Sequence, residues 1–90
     1  MPRPGPYQCP CCDYYTLEDR ASYSICPVCY WEDEGLDLDR LDTISAPNHI
    51  TLRQARSNFV RYGACDEGAV SLVADPADCA GLRREVRTTM

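Results

Sequence analysis

Two Cys-Pro-x-Cys pairs, Cys9-Pro10-Cys11-Cys12 and Cys26-Pro27-Val28-Cys29, lie thirteen residues apart in a chain of 90. Each pair offers two sulfurs at i and i+3, the spacing with which a tight turn grips a metal ion. A chain reversal between the pairs would bring all four sulfurs onto one ion. Zinc sites of this kind usually separate their pairs by roughly 15–20 residues, and a short β-hairpin still fits the slightly smaller gap. The proline after the first Cys presets φ for a tight turn, whose N–H groups can point at the sulfurs. The spacing therefore predicts a tetrahedral, four-thiolate Zn2+ site built from Cys9, Cys12, Cys26 and Cys29. Iron is the alternative occupant, since an all-sulfur tetrahedral shell accepts either metal. A closed shell with no position left for water makes the site structural rather than catalytic.

The rest of the chain is laid out around that site. Tyr14-Tyr15-Thr16-Leu17 has strand character, Glu18 to Ser22 is a polar break, and Tyr23-Ser24-Ile25 leads back into the second pair. Knuckle, strand, turn, strand, knuckle is the order of a zinc ribbon (rubredoxin-like). Farther on, Thr51 and Gln54 fit a capping box, and Leu52, Ala55, Phe59 and Tyr62 recur at helical spacing. Gly63 stands at the C′ position, so a helix is predicted over 52–62. Asp75-Pro76 is a second N-cap and N1 pair, predicting another helix near 76–86 that Gly81 weakens. The fold class expected is small α+β: a ribbon hairpin with two Cys knuckles followed by one or two α-helices. Residues 1–6 read as a disordered lead, and 7–90 as a single domain. Within it, 7–33 form the ribbon, 34–50 an acidic loop and 51–90 a helical C-terminal part, with the last four residues fraying.

So small a chain has a thin core, and a metal would supplement it. Seven cysteines, an odd number, argue against a closed disulfide framework. Met1 to Pro6 lacks the apolar stretch of a secretion signal, and no apolar run is long enough to span a membrane. A reducing, cytoplasmic setting is the expectation. The formal charge is −5, divided unevenly: residues 1–50 hold three Arg against nine acids, and residues 51–90 hold six Arg against five acids. Such an acidic module is poorly matched to nucleic acid, where affinity comes mainly from neutralising phosphates.

Cys9-Pro10-Cys11-Cys12, Tyr14-Tyr15-Thr16-Leu17 and Tyr23-Ser24-Ile25-Cys26-Pro27-Val28-Cys29-Tyr30-Trp31-Glu32-Asp33 together resemble the bacterial cysteine-rich CPCC family. The likeness continues through Asn48-His49, Leu52, Gln54-Ala55-Arg56, Asn58-Phe59 and Gly63-Ala64-Cys65. It covers residues 6–66, after which the chain is expected to leave the family pattern. The resemblance implies a small zinc-ribbon fold, and implies no particular activity.

The remaining chemistry-bearing residues have ordinary readings beside sharper ones. Cys11 cannot easily join Cys9 and Cys12 on one ion, and is expected to point outward. Cys65 and Cys79 read as small half-buried hydrophobes. His49 reads as a residue bonding local backbone before the helix; a protease reading would require it beside Cys65 with Asn48 or Asn58 to orient it. Trp31, Tyr14, Tyr15, Tyr23, Tyr30 and Tyr62 are expected mainly to cover the knuckles and Phe59, with a subset left for recognition. Glu32 to Asp42 holds six acids against Arg40 alone, read as a solvated loop pairing with Arg53 or Arg56, or as a surface for a basic partner. No catalytic constellation is visible. Three alternative functions follow: a non-enzymatic, zinc-stabilised module that meets a protein partner, such as a basic one, through acidic and aromatic surface; a rubredoxin-like electron carrier with iron at the same cysteines; and a nucleic-acid-binding ribbon using the helix arginines.

Overall fold

The computed structural model describes residues 2–88. Strand β1, Tyr7–Gln8, pairs antiparallel with β2, Tyr15–Leu17, and the first Cys pair is the tip of this hairpin. The ribbon expectation placed Tyr23 to Ile25 against Tyr14 to Leu17. Instead, the Tyr23 N–H donates to the Asp33 carbonyl (2.8 Å), the Asp33 N–H donates to the Ser24 carbonyl (3.0 Å), and Ile25 bridges Glu32. Each knuckle thus tips its own short hairpin. The reason is local: a four-residue metal turn already reverses the chain, so its two flanks are the nearest partners for each other's backbone groups.

The register Tyr7↔Leu17, Gln8↔Tyr15 slips by one residue. Thr16 is the extra residue, and a bulge of this kind re-aims a side chain. The Thr16 hydroxyl lies 3.1 Å from the Cys26 Sγ.

Helix α1 runs over Leu52–Tyr62, as its caps predict. The Thr51 hydroxyl accepts from the Gln54 N–H, and Gly63, at φ 82°, donates its N–H to the Phe59 carbonyl. Only half of the capping box forms, because the Gln54 amide turns forward to Asn58 Oδ1 (2.9 Å). Leu52 and Ala55 are fully buried against Trp31, Leu17 and the four cysteines, a core assembled around sulfur.

Past the helix, Glu67–Leu72 and Pro76–Cys79 are 3-10 turns capped by Asp66 and Asp75. The helix expected over 76–86 therefore stops after one turn, and the chain extends. The backbone of this extended stretch is taken up by the first hairpin: the Tyr15 N–H donates to the Arg83 carbonyl (3.0 Å), and Tyr14 bridges Arg84. Arg87, expected to fray, is anchored on Asp13, while Thr89 and Met90 lie outside the described residues. Within the lead expected to be disordered over residues 1–6, the Gly5 N–H donates to the Tyr15 carbonyl (3.0 Å), and Met1 lies outside the described residues. Among the described residues no helix is long and apolar enough to cross a membrane.

A buried four-cysteine centre

The two knuckles are built alike. In the first, the Cys9 N–H donates to the Tyr14 carbonyl and the Asp13 N–H returns to the Cys9 carbonyl; in the second, Cys26, Trp31 and Tyr30 repeat the pattern. The residue closing each turn is left-handed, Asp13 at φ 69° and Tyr30 at φ 73°. For a non-glycine residue this costs about 1–2 kcal/mol, least for Asp and more awkwardly for a bulky ring.

These turns bring together the four cysteines singled out by spacing. Cys9, Cys12, Cys26 and Cys29 are buried, and their sulfurs all lie within 4.8 Å of one another. Cys9 Sγ is 3.6 Å from Cys29 Sγ, and Cys12 Sγ is 3.8 Å from Cys26 Sγ. A metal–sulfur bond of about 2.3 Å places the sulfurs of a tetrahedron about 3.8 Å apart. The donor set therefore fits a tetrahedral ion, and the four cysteines could hold one metal. Without a cation, burial pushes Cys9, Cys12 and Cys29 above the usual thiol range, whereas bonds from Cys12, Cys29, Cys9 and Thr16 hold Cys26 well below it. Burial therefore opposes the thiolate form at each of the four, and a bound cation would offset that cost.

Positive charge surrounds the first knuckle. Arg56 Nη1 donates to the Pro10 carbonyl (2.6 Å), Arg84 Nε to that of Cys12 (2.9 Å) and Arg87 Nη2 to that of Cys9 (3.4 Å). Asp13 organises two of the three. Its carboxylate accepts from Arg56 Nη1 and Nη2 (2.8 Å each) and from the Arg87 N–H (2.8 Å) and Nε (2.9 Å). Burial would raise the Asp13 carboxyl, but these guanidinium bonds outweigh it and hold it below the ordinary range. Four thiolates around a divalent ion would carry about −2, and the arginines lie where they would offset it.

This arrangement revises several sequence expectations. Cys11 does not face outward: it is 2% exposed, within the core. Cys65 and Cys79 are buried rather than half-buried, and burial pushes Cys65 up to about 12. His49 is exposed at φ 65°, its N–H on the Ser45 carbonyl, and it is not among the residues grouped for a metal. The Asn48 amide is committed to Glu32 and Ser45, and that of Asn58 to the Cys65 carbonyl.

The acidic stretch is only partly a solvated loop. Asp33 is fully buried, accepting from Arg20 Nε (2.9 Å) and from the Ala21 and Gly35 N–H groups, and Asp37 joins Arg20 to Arg87. Of the helix arginines, Arg53 pairs with Asp42 of that stretch as expected, whereas Arg56 turns to Asp13. The sequence reading did not single out Asp13, Arg56 or Arg87 as a unit. One signal was present: an Asp directly after a Cys-x-x-Cys turn, where the backbone calls for a left-handed residue.

The family model for cysteine-rich CPCC proteins matches residues 7–79. The chain belongs to the cysteine-rich CPCC family. No curated protein and no solved structure matches it significantly. The CPCC match runs past residue 66, where the resemblance was expected to end, through both 3-10 turns. The Arg83 to Arg87 stretch that clasps the first knuckle lies beyond the matched segment.

Proposed function

We propose that the four cysteines hold one Zn2+ as a structural centre, and that the protein is a non-enzymatic module whose surface meets another protein. The observation that carries this reading is the closure of the site. All four sulfurs are buried, with Cys9, Cys26 and Cys29 at 0% exposure and Cys12 at 1%, so the first coordination shell is supplied by the protein alone. Catalytic zinc keeps a position for water or substrate, whereas structural zinc does not. A metal here contributes on the order of 10 kcal/mol to folding, in a chain whose core is otherwise small. Zn2+ would be held by Cys9, Cys12, Cys26 and Cys29; the bulged Thr16 would steady the Cys26 sulfur, and the three arginines would offset the charge.

The acids that remain available support a protein partner over nucleic acid. Arg53 and Arg56 of the helix are both committed to acids, which depletes the cationic face a nucleic-acid ribbon would need. Asp33 and Asp37 hold the fold together, so the partner surface has to be sought in other acids.

Native mass spectrometry with metal analysis tests the reading. One zinc per chain, a colourless protein, and loss of near-UV dichroism on exhaustive chelation are expected. A red iron-loaded protein would move the assignment to an electron carrier. A chain that remains fully ordered after chelation would remove the structural role.

A further inference from the structure

We infer that the face of the second knuckle binds an extended, arginine-bearing segment of a partner protein. This rests on the interaction-module reading above and assigns its surface and its partner's chemistry.

The argument begins with the likeness of the two knuckles. The first is covered by the chain's own extended Arg83 to Arg87 stretch, which lies along β2 and bridges Tyr14 through Arg84. There the Arg83 guanidinium sits 4.4 Å from the Tyr15 ring centroid, and that of Arg84 sits 5.1 Å from Tyr14 and 5.4 Å from Phe59. Arg87 pairs with Asp13, the residue that closes the turn. The first knuckle is therefore covered by an extended segment whose arginines stack on rings and pair with a carboxylate.

The second knuckle is bonded differently: the Cys65 and Ala74 N–H groups donate to its Cys29 and Pro27 carbonyls, and among the described residues no arginine-bearing segment covers it. Tyr30, the counterpart of Asp13, is 37% exposed, and beside it Ile25 and Leu72 are 46% and 58% exposed. These three side chains line two adjoining grooves of about 300 and 380 Å3. Glu32 and Asp66 line the first groove and Asp78 the second, and none of the described residues lining either groove is basic. Among the described residues no ion pair engages Glu32, Asp66 or Asp78. The Tyr30 backbone is fixed by a turn with φ of 73°, closed by its N–H on the Cys26 carbonyl (2.8 Å), so the point from which the ring projects is set before anything binds. A left-handed tyrosine is a strained choice, and here the strain delivers an exposed ring to an acid-lined apolar groove. Charge complementarity selects a cationic occupant. The ring selects arginine over lysine, because a planar guanidinium both stacks and pairs with a carboxylate.

The test uses the full chain loaded with Zn2+ and a displayed library of random 12-residue peptides. Enriched peptides are expected to carry Arg next to an aliphatic residue. A synthetic copy of one should perturb the amide signals of Ile25, Tyr30, Glu32, Asp66 and Leu72. Arg→Ala in the peptide and Tyr30→Ala in the protein should each weaken binding at least about tenfold, and Glu32→Gln with Asp66→Asn should flatten the salt dependence. Tyr30→Gly is the control for folding: it relieves the left-handed strain, keeps one zinc per chain, and should bind as poorly as Tyr30→Ala. Peptides without enriched Arg, no binding at all, or perturbations confined to other surfaces would overturn the proposal. Binding mapped to another surface would do so while leaving the interaction-module reading in place; a red, iron-loaded protein would overturn that reading instead.

Discussion

Replacing Asp13 by Ala should strongly destabilise the fold. The carboxylate is 2% exposed and accepts four hydrogen bonds from Arg56 and Arg87, whose side chains are 11% and 28% exposed. Removing one partner of a buried ion pair costs about 3–5 kcal/mol, because the other charge is left desolvated. Arg56 fits that case, as its remaining acceptors are the carbonyls of Pro10 and Arg87. The more exposed Arg87 can turn partly toward water, which moves its share toward the lower end. Ala also tolerates the left-handed φ of 69° less well than Asp, adding about 1 kcal/mol. The expected loss is about 4 kcal/mol for Asp13→Ala. It should be nearer 2 kcal/mol for Asp13→Asn, which keeps an acceptor and a residue that tolerates αL. Denaturant unfolding of the zinc-loaded, reduced protein measures both. The Arg87→Ala variant and the double variant complete a cycle, with a coupling of about 1–2 kcal/mol expected. If Asp13→Ala costs under about 1 kcal/mol, or its effect simply adds to that of Arg87→Ala, the clasp on the first knuckle is not an energetic unit.

Three further outcomes follow from separate contacts. A Cβ on Gly5 would lie 2.5 Å from the Leu17 carbonyl oxygen; Gly5→Ala should therefore cost about 1–3 kcal/mol, read as a lowered midpoint in the same unfolding assay. Burial pushes the Cys65 thiol up to about 12. A folded pKa above the unfolded value of about 8.5 means that stability is intact below that pH and falls as pH rises toward 12. Wild type should lose roughly 1–2 kcal/mol relative to Cys65→Ala between about pH 8.5 and 10, and parallel profiles for the two proteins would count against it. Thr16→Val removes the hydroxyl 3.1 Å from the Cys26 sulfur. It should speed zinc loss to a competing chelator by about 10-fold with little change in the helix signal, and an unchanged rate would mean that the bulge serves packing only.

Local chemistry made much of this protein legible. The paired Cys-Pro-x-Cys turns named the four residues whose sulfurs converge, and Thr51 with Gly63 marked both ends of α1. Those features depend on residues within a few positions of one another. The Gln54 amide, the short turn at Pro76–Cys79 and the buried Cys11 were misread because each is decided by what packs against it.

Sequence alone determined which four sulfurs come together and where helix α1 begins and ends, since turn geometry and capping are written in adjacent residues. Tertiary structure decided which backbone each knuckle pairs with, why Asp13 is buried among arginines, and why Tyr30 at the equivalent position is not. Arg56 and Arg87 reach Asp13 across 43 and 74 positions of chain. A contact over that separation leaves no periodicity to read, because it exists only once the chain has closed around its four sulfurs.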